Sequence, residues 1–386
     1  MSATGEVVAT QGAATRHDVP MDAPLTPMTL PPLGDRPLVS VVIPNKDYGR
    51  YLPDLLDGLV SQTYPHWEAI VVDDGSADDS SSVVQAAAER DGRIRLLRHA
   101  KPRGQAAAFN DGVGEAAGDV ICLVDSDDTM AAGKLDAVVR GFRGAAAAGI
   151  LIHPLQMFGE TGAIGRLPSF TAFEQGWLAP RVTRRGGRWR WVPTSGVALR
   201  REVAAAIFPM PVAGLSTSAD TFVVMLAPLL SEVVVVDELL GGYRRHGANA
   251  FARARLDAAR VAGAADNLRR SAGEVNLRIA ALGHAEPVLK IEHNLKYREL
   301  VFQASLLEGA TGRRSLFGEL PRLCRAVIGD DLYGVVQKAW ACVLYGVAIA
   351  LPVSRRAAWL SRSLSGSRVK ELARKLAGSK GVKTSS

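Results

Sequence analysis

The stretch that decides the fold is Asp119–Asp128, DVICLVDSDD, in which five apolar residues from Val120 to Val124 run straight into the carboxylates of Asp125, Asp127 and Asp128. A short run that is apolar at every position reads as a strand buried on both faces, the pattern of a parallel sheet. Such strands end at the edge where ligands bind in open α/β sheets. Concentrated negative charge at that edge calls for a cation or a cluster of donors opposite it.

Outward from this strand the same grammar repeats. LVSVVIP (38–44), EAIVVDDGS (68–76) and RIRLLRH (93–99) are further strand patterns. Between them, 51–62 carries Leu52, Leu55, Leu56 and Leu59 at helical spacing, and 78–90 and 104–118 also read as helices. Strands alternating with helices of about a dozen residues predict an α/β fold, a Rossmann-like, mainly parallel sheet flanked by helices. Three of its strand ends carry polar clusters: Asn45-Lys46-Asp47, Asp73-Asp74 and Asp125 to Asp128. Gly112, Gly114 and Gly118 have GxGxxxG spacing inside a helical pattern, which suits close helix packing rather than a dinucleotide loop.

Familiar alternatives are missing: the sequence has no GxxxxGK[ST] loop, no HExxH and no GxSxG. The three cysteines, Cys122, Cys324 and Cys342, have no CxxC spacing, so neither a disulfide framework nor a zinc site is expected and a reducing compartment is the default. Residues 1–36 lack a basic start followed by an apolar core and are expected to form a disordered arm.

The net charge of +7 is local. Residues 354–386 hold nine Lys/Arg and one acid, leaving 37 basic and 38 acidic residues in the rest of the chain. A basic tail without interleaved aromatics or a reading module suits an anionic surface and not nucleic acid. Just before it, 339–353 (AWACVLYGVAIALPV) has no charge. As a helix it would be roughly 22 Å long, short of the ~30 Å hydrocarbon core. It reads either as part of a membrane-surface anchor, with Val369, Leu372, Ala373 and Leu376 on one face of a basic helix behind it, or as a buried core helix with a solvated tail.

Asp125-Ser126-Asp127 is a D-x-D triplet at a strand end. Carboxylate oxygens there suit Mn²⁺ or Mg²⁺, cations that commonly take further ligands from substrate phosphates. At this point five blocks occur in an order and spacing that resembles family 2 glycosyltransferases with the GT-A fold: VSVVIPNKDYGRYL (39–52), VVDDGSADDS (71–80), KPRGQAAAFNDGVGEAAGDVICLVDSDD (101–128), TSGVALRREV (194–203) and YRRHGAN (243–249). The resemblance covers about residues 38–250.

The resemblance implies roles residue by residue. Pro44, Asn45, Asp47, Asp73, Asp74, Arg103, Asn110 and Asp125 would hold the nucleotide sugar, with one of Asp73 and Asp74 accepting the base's ring N–H. Asp125, Asp127 and His246 would serve the metal. Trp191, Thr194, Ser195 and Gly196 would lie on the acceptor side. Asp220 would be the base, although Ala219 stands where the family has Glu. The expected activity is a metal-dependent inverting transfer from a nucleotide sugar, most simply a UDP-sugar, to a glycan or lipid-linked acceptor in cell-surface polysaccharide synthesis. The expected place is cytoplasmic, peripheral on the inner membrane face.

The implied layout is a GT-A domain at 37–250, a helical extension at 251–338 and an anchor at 339–386. A sugar-phosphate nucleotidyltransferase and a non-catalytic nucleotide-sugar scaffold are the alternatives. The second draws on Ala219 and the unusually apolar VVMLAPLL (223–230).

Overall fold

The computed structural model describes residues 25–170, 172–213, 219–247, 257–284, 287–309 and 313–364. The apolar runs become β1 (Val39–Asn45), β2 (Trp67–Asp73), β3 (Ile94–Arg98) and β4 (Val120–Leu123), separated by α1 (Leu52–Val60), α2 (Ser80–Arg90) and α3 (Gln105–Glu115). Every residue of β1 and β4 is buried, as a parallel strand covered on both faces requires. On α1 the buried residues are Leu52, Leu55, Leu56 and Leu59, one face of the helix.

The chain continues through β5 (Thr129–Met130), α4 (Lys134–Gly144), β6 (Ala148–Ile152), β7 (Leu155–Gly159) and β8 (Gly162–Leu167). Then come α5 (Ala179–Arg184), β9 (Val197–Arg200), α6 (Arg201–Ile207), α7 (Ala219–Leu230), β10 (Glu232–Val235) and β11 (Gly241–Arg244). The main sheet has the order β10-β6-β9-β4-β1-β2-β3. Its pairs are parallel except where β9 lies antiparallel between β4 and β6. The register Asn45↔Asp73 and Val42↔Leu123 brings the ends of β1, β2 and β4 to one edge.

A second sheet, β5-β11-β7-β8, stands beside that edge. It forms because two glycines let β11 approach β5 closely. A Cβ on Gly241 would lie 2.6 Å from the Thr129 carbonyl oxygen, and one on Gly242 2.5 Å from Thr129 Oγ1. The pairing Gly242↔Thr129 ties the chain leading to His246 to the residue just after Asp128.

Several sequence expectations change. Residues 25–36 are not a disordered arm: Leu25, Met28 and Leu30 pack on the main core, and Met28 N donates to Leu230 O at 2.7 Å. Apolar side chains among the prolines give this segment a surface to bury; residues 1–24 lie outside the described residues. The helix α8 (Ala258–Ala281) places Ala272, Val275 and Ile279 in the same core, so the catalytic unit does not end at 250. VVMLAPLL belongs to α7, buried along 222–230, which explains its lack of polar residues.

The last four helices among the described residues are α9 (Leu295–Glu308), α10 (Arg313–Gly329), α11 (Val335–Ala350) and α12 (Val353–Leu364). They share a core of Phe302, Leu306, Leu316, Leu323, Leu344, Tyr345, Ile349 and Leu360. The expected boundary at 338/339 falls inside α11, whose Leu344, Tyr345, Ala348 and Ile349 are buried, so 339–350 is part of this bundle. Among the described residues no helix is long and apolar enough to cross a membrane. Arg356 is 2% exposed and donates to the carbonyls of Leu306, Ile349 and Leu351, satisfying C-terminal groups of α9 and α11. The basic helix expected at 369–376 lies outside the described residues.

The three glycines around α3 separate cleanly. A Cβ on Gly112 would meet Val42 Cγ1 at 2.5 Å and one on Gly118 the Ser40 nitrogen at 2.6 Å, whereas Gly114 faces open space. Gly112→Ala should therefore destabilise the protein by ~1–3 kcal/mol through overpacking. Gly114→Ala should stabilise it by up to ~1 kcal/mol through helix propensity. Denaturant unfolding of the two variants checks both signs.

Candidate active site

A cleft of about 370 Å³ opens at the shared edge of β1, β2 and β4. Its wall includes Pro44, Asn45 and Asp74 on one side, Asp125 and Asp127 in the middle, and Thr194 and Asp220 on the other. Segments more than 170 residues apart thus meet in one cavity.

On the nucleotide side, the structure separates the two adjacent aspartates. Asp73 is fully buried and outside the cleft wall, accepting from Ser76 N, Ser81 Oγ and Asn45 Nδ2. Asp74 lines the cleft, with Oδ1 accepting from Arg103 N and Oδ2 from Gly104 N, both at 2.7 Å. His99 bonds the same Oδ1 at 2.7 Å. These donors outweigh the opposing effect of burial and hold the Asp74 carboxyl below the usual carboxylate range.

Asp47 sits in the left-handed region at φ 55° beside the cleft. There it accepts from Ala77 N at 2.7 Å and joins the loops after β1 and β2. Hydrogen bonding from Lys46 lowers its carboxyl. Asp78 accepts from Gly49 N and Ser80 N, a structural bracket at the entry to α2.

Besides Asp47 and Asp73, the expected nucleotide ligands Asn110 and Arg103 also lie outside the cleft wall. Asn110 exchanges two hydrogen bonds with the backbone of Met210, donating to its carbonyl at 2.8 Å and accepting from its nitrogen at 2.6 Å. It ties α3 to the loop after α6. The Arg103 guanidinium is paired with Asp111. The cation that does line the cleft is Lys46, whose Nζ donates to Gly75 O at 2.9 Å.

The acidic centre is built from three chain segments. Asp127 Oδ2 lies 2.9 Å from His246 Nε2, so the sequence-distant pair expected at a metal does converge. The His246 ring is boxed by Tyr51 and Tyr48, with centroids 4.6 and 5.4 Å away. Arg244 donates from Nε to Asp127 O at 2.9 Å and lies over the Phe158 ring. Asp128 is turned inward: it accepts from Ser195 Oγ at 2.6 Å and from Arg244 N at 2.9 Å. Ser195 Oγ in turn accepts from Asp125 N at 3.0 Å, and Lys134 Nζ donates to Ser195 O at 2.7 Å.

On the acceptor side, only Thr194 of the expected residues lines the main cleft, where its hydroxyl bonds the Asp125 carboxyl. Ser195 and Gly196 sit behind it. A Cβ on Gly196 would lie 2.4 Å from the His153 carbonyl oxygen, so only glycine fits. Trp191, with Trp189, lines a separate cavity of about 190 Å³ that also takes in Thr221, Val224 and Met225 of α7. Asp220 occupies the first turn of α7 with Oδ1 accepting from Thr221 N at 2.8 Å. Ala219 beside it is fully buried in the core, a position with no room for a solvated carboxylate.

Like charge and desolvation dominate the electrostatics. Burial, then the charges of Asp128, Asp127 and Asp220, push the Asp125 carboxyl well above its usual range. Burial and then Asp127 push Asp128 up to about 7. Burial raises Asp220, with the Thr221 hydrogen bonds opposing. The phenols of Tyr48 and Tyr243, both in the cleft wall, are pushed up to about 12, by burial first and these carboxylates second.

Residues 40–208 match the family model described as glycosyl transferase family 2. These residues are similar to that family. An uncharacterized glycosyltransferase of Nostoc sp., alr2836, is 29% identical over 309 residues, covering 78% of this chain and 92% of its own. The O-antigen biosynthesis protein RfbC of Myxococcus xanthus is 35% identical over 112 residues, 28% of this chain and 9% of its own. Among solved structures, residues 1–349 of S. aureus TarS superpose with a TM-score of 0.51 at 17% identity, covering 85% of this chain and 92% of that one. The same TarS fragment in complex with UDP-GlcNAc gives 0.50 at 18% identity, covering 85% and 92%. The protein is a glycosyltransferase with a GT-A fold.

Sequence reasoning missed Lys46, Tyr48, Gln105 and Tyr243 in the wall of the glycosyltransferase cleft. The signal for the first two was present, since both sit in the polar loop ending β1. Gln105, which donates to Asp125 Oδ1 at 3.1 Å, had none, because its role depends on how α3 lies against β4.

The raised carboxyl of Asp128 has a sign for stability. Its folded value of about 7 lies above the ordinary range of an aspartate, so the folded state holds an extra proton between that range and about pH 7. In the metal-free enzyme this contribution is present at low pH and lost as pH rises through about 7. Thermal unfolding without divalent cations should show a gain in stability from about pH 8 to about pH 5. Asp128→Asn should flatten that gain.

Proposed function

We propose that this glycosyltransferase moves a sugar from a uridine diphosphate donor to an acceptor hydroxyl in one inverting displacement, assisted by Mn²⁺ or Mg²⁺. The observation that carries the reading is the convergence of Asp74, Asp125, Asp127 and Asp220 on one cleft, with His246 beside Asp127. TarS, which shares the fold, has been solved with UDP-GlcNAc, so a uridine donor is the first to test.

The donor set fits a divalent cation. Asp125 and Asp127 are hard oxygen ligands and His246 adds an imidazole nitrogen. Crowding of the carboxylates leaves negative charge in need of a counter-ion. Among the described residues no group of three or more His, Cys, Asp or Glu is placed to hold a metal ion by itself. A cation that completes its shell with diphosphate oxygens and water needs only one or two protein carboxylates. When bound, it would act as a Lewis acid that stabilises the leaving diphosphate.

The chain's own residues supply the rest. Asp74 accepts the base's ring N–H from the β2 end of the cleft, and Lys46 adds positive charge near the phosphates. Asp220 takes the acceptor's proton; desolvation strengthens it as a base by raising its carboxyl. Thr194 and Gln105 both hydrogen-bond the Asp125 carboxyl. No carboxylate is assigned as a nucleophile, consistent with a single displacement.

The acceptor is a glycan or lipid-linked sugar of the cell surface, a reading supported by the name of the RfbC relative. Peripheral attachment to the inner membrane face is supported by Val335, Val343 and Val347 on α11 and Phe317 and Ile328 on α10, all exposed. The basic residues of 354–386 other than the buried Arg356 adjoin them in sequence. Because α11 and α12 are integral to the bundle, the test of attachment removes only residues 365–386. At low salt, vesicles rich in anionic lipid should retain the full chain and hold the shortened one poorly, and raising salt should release the full chain; equal retention of the two at low salt would overturn the role of the tail.

For the chemistry, Asp220→Asn should lower kcat by about 10²–10⁴ while leaving the donor KM within about twofold. The assay is UDP release from a panel of UDP-sugars with Mn²⁺ and an acceptor. Below the raised Asp220 value, kcat/KM of the native enzyme should fall as the base protonates. Full turnover by Asp220→Asn would remove this residue from the mechanism.

A further inference from the structure

Behind the nucleotide end of the cleft lies a side-chain chain that the reaction as described does not use. His99, just past β3, is 7% exposed and held by its backbone nitrogen on Asp73 O at 2.9 Å. Its two ring nitrogens face different carboxylates: Nδ1 lies 2.7 Å from Asp74 Oδ1 and Nε2 2.8 Å from Asp111 Oδ2. Asp111 projects from α3 and also pairs with the Arg103 guanidinium, which comes within 3.4 Å of His99 Nε2. One ring thus spans from the cleft to the outer face of α3.

This arrangement fixes what Asp74 can do. Three donors, His99 Nδ1 and the amides of Arg103 and Gly104, converge on its carboxylate from the protein side. A carboxylate offers about four lone-pair sites, so at least one remains for a ligand. The two backbone amides take one oxygen each, and the imidazole is the second donor on Oδ1, which leaves the free lone pair on Oδ2. A neutral ring donates through one nitrogen only. With the proton on Nδ1, His99 serves Asp74 whether or not Nε2 is also protonated.

We infer that His99, braced by Asp111, is a positioning residue that aims the free lone pair of Asp74 at the nucleotide base. It touches no substrate and acts only through Asp74. The inference rests on the reading of Asp74 as a nucleotide ligand. Its chemical consequence is specific: the donor that matters is the one at the Nδ1 position, and Nε2 is a brace.

The test uses two isosteres of the ring in the full chain. His99→Asn keeps an N–H where Nδ1 stands, and His99→Gln keeps one where Nε2 stands. UDP binding is measured calorimetrically with Mn²⁺ held constant, and melting temperatures verify that both variants fold. The Gln form should bind UDP about tenfold more weakly and the Asn form within about threefold of the native protein, the scale of one hydrogen bond to a charged group. Turnover should show the same split, with a raised donor KM in the Gln form and kcat unchanged in both.

Equal weakening by the two isosteres, or none by either, would overturn the positioning role. Asp74→Asn separates this failure from that of the underlying reading. If Asp74→Asn binds UDP like the native protein, the nucleotide role of Asp74 falls and the role of His99 falls with it. If Asp74→Asn loses UDP while His99→Gln binds normally, only the His99 assignment is wrong.

Discussion

The Asp128 carboxylate is the joint on which the candidate active-site cleft depends. One oxygen accepts the Ser195 hydroxyl and the other accepts the Arg244 amide, so three segments that share no local sequence are locked together. The first carries Asp125 and Asp127, the second Thr194, the third His246. A buried carboxylate is costly unless its hydrogen bonds are made, and here each partner is supplied by the segment to be held. Lys134, 1% exposed, faces the same cluster through the Ser195 carbonyl and offsets part of its charge. The acids at the mouth of β4 therefore divide their work: Asp125 and Asp127 face the cleft, and Asp128 assembles it.

Much of this was legible in the sequence, for a definite reason. Strands buried on both faces leave unbroken apolar runs, and the polar residues that interrupt them mark the ligand edge. Pro44, Asn45, Asp74, Asp125 and Asp127 were found that way or through the resemblance. The parts that escaped depend on contacts between distant residues. Asn110 reads as a ligand until its partner Met210, a hundred positions away, is seen to claim both ends of its amide. Arg103 was the phosphate cation the sequence offered, but in the fold it pairs with Asp111 outside the cleft wall, which Lys46 lines instead. The small sheet of short strands was invisible because two- to six-residue strands carry too little period to register.

The C-terminal helices show the same limit in another form. Fifteen uncharged residues at 339–353 look alike whether their neighbour is lipid or protein. In the fold, one stripe of α11 meets Phe302 and Leu316 while valines remain on the opposite stripe. Arg356, which sequence composition counts as part of a basic tail, is buried on carbonyl groups and contributes nothing to a surface field. Local net charge is thus a poor guide to which of its members reach solvent.

Gly241 and Gly242 have a consequence for how the enzyme can vary. They contribute no chemistry, yet the closeness they permit between β11 and β5 determines whether His246 arrives beside Asp127 at all. A side chain at either position would act as a wedge between β5, which follows the acidic cluster, and the strand that brings the histidine. The chemistry of the acidic cluster is thereby made hostage to two residues that an inventory of functional groups would omit, and inactive natural variants are to be sought there as much as among the aspartates.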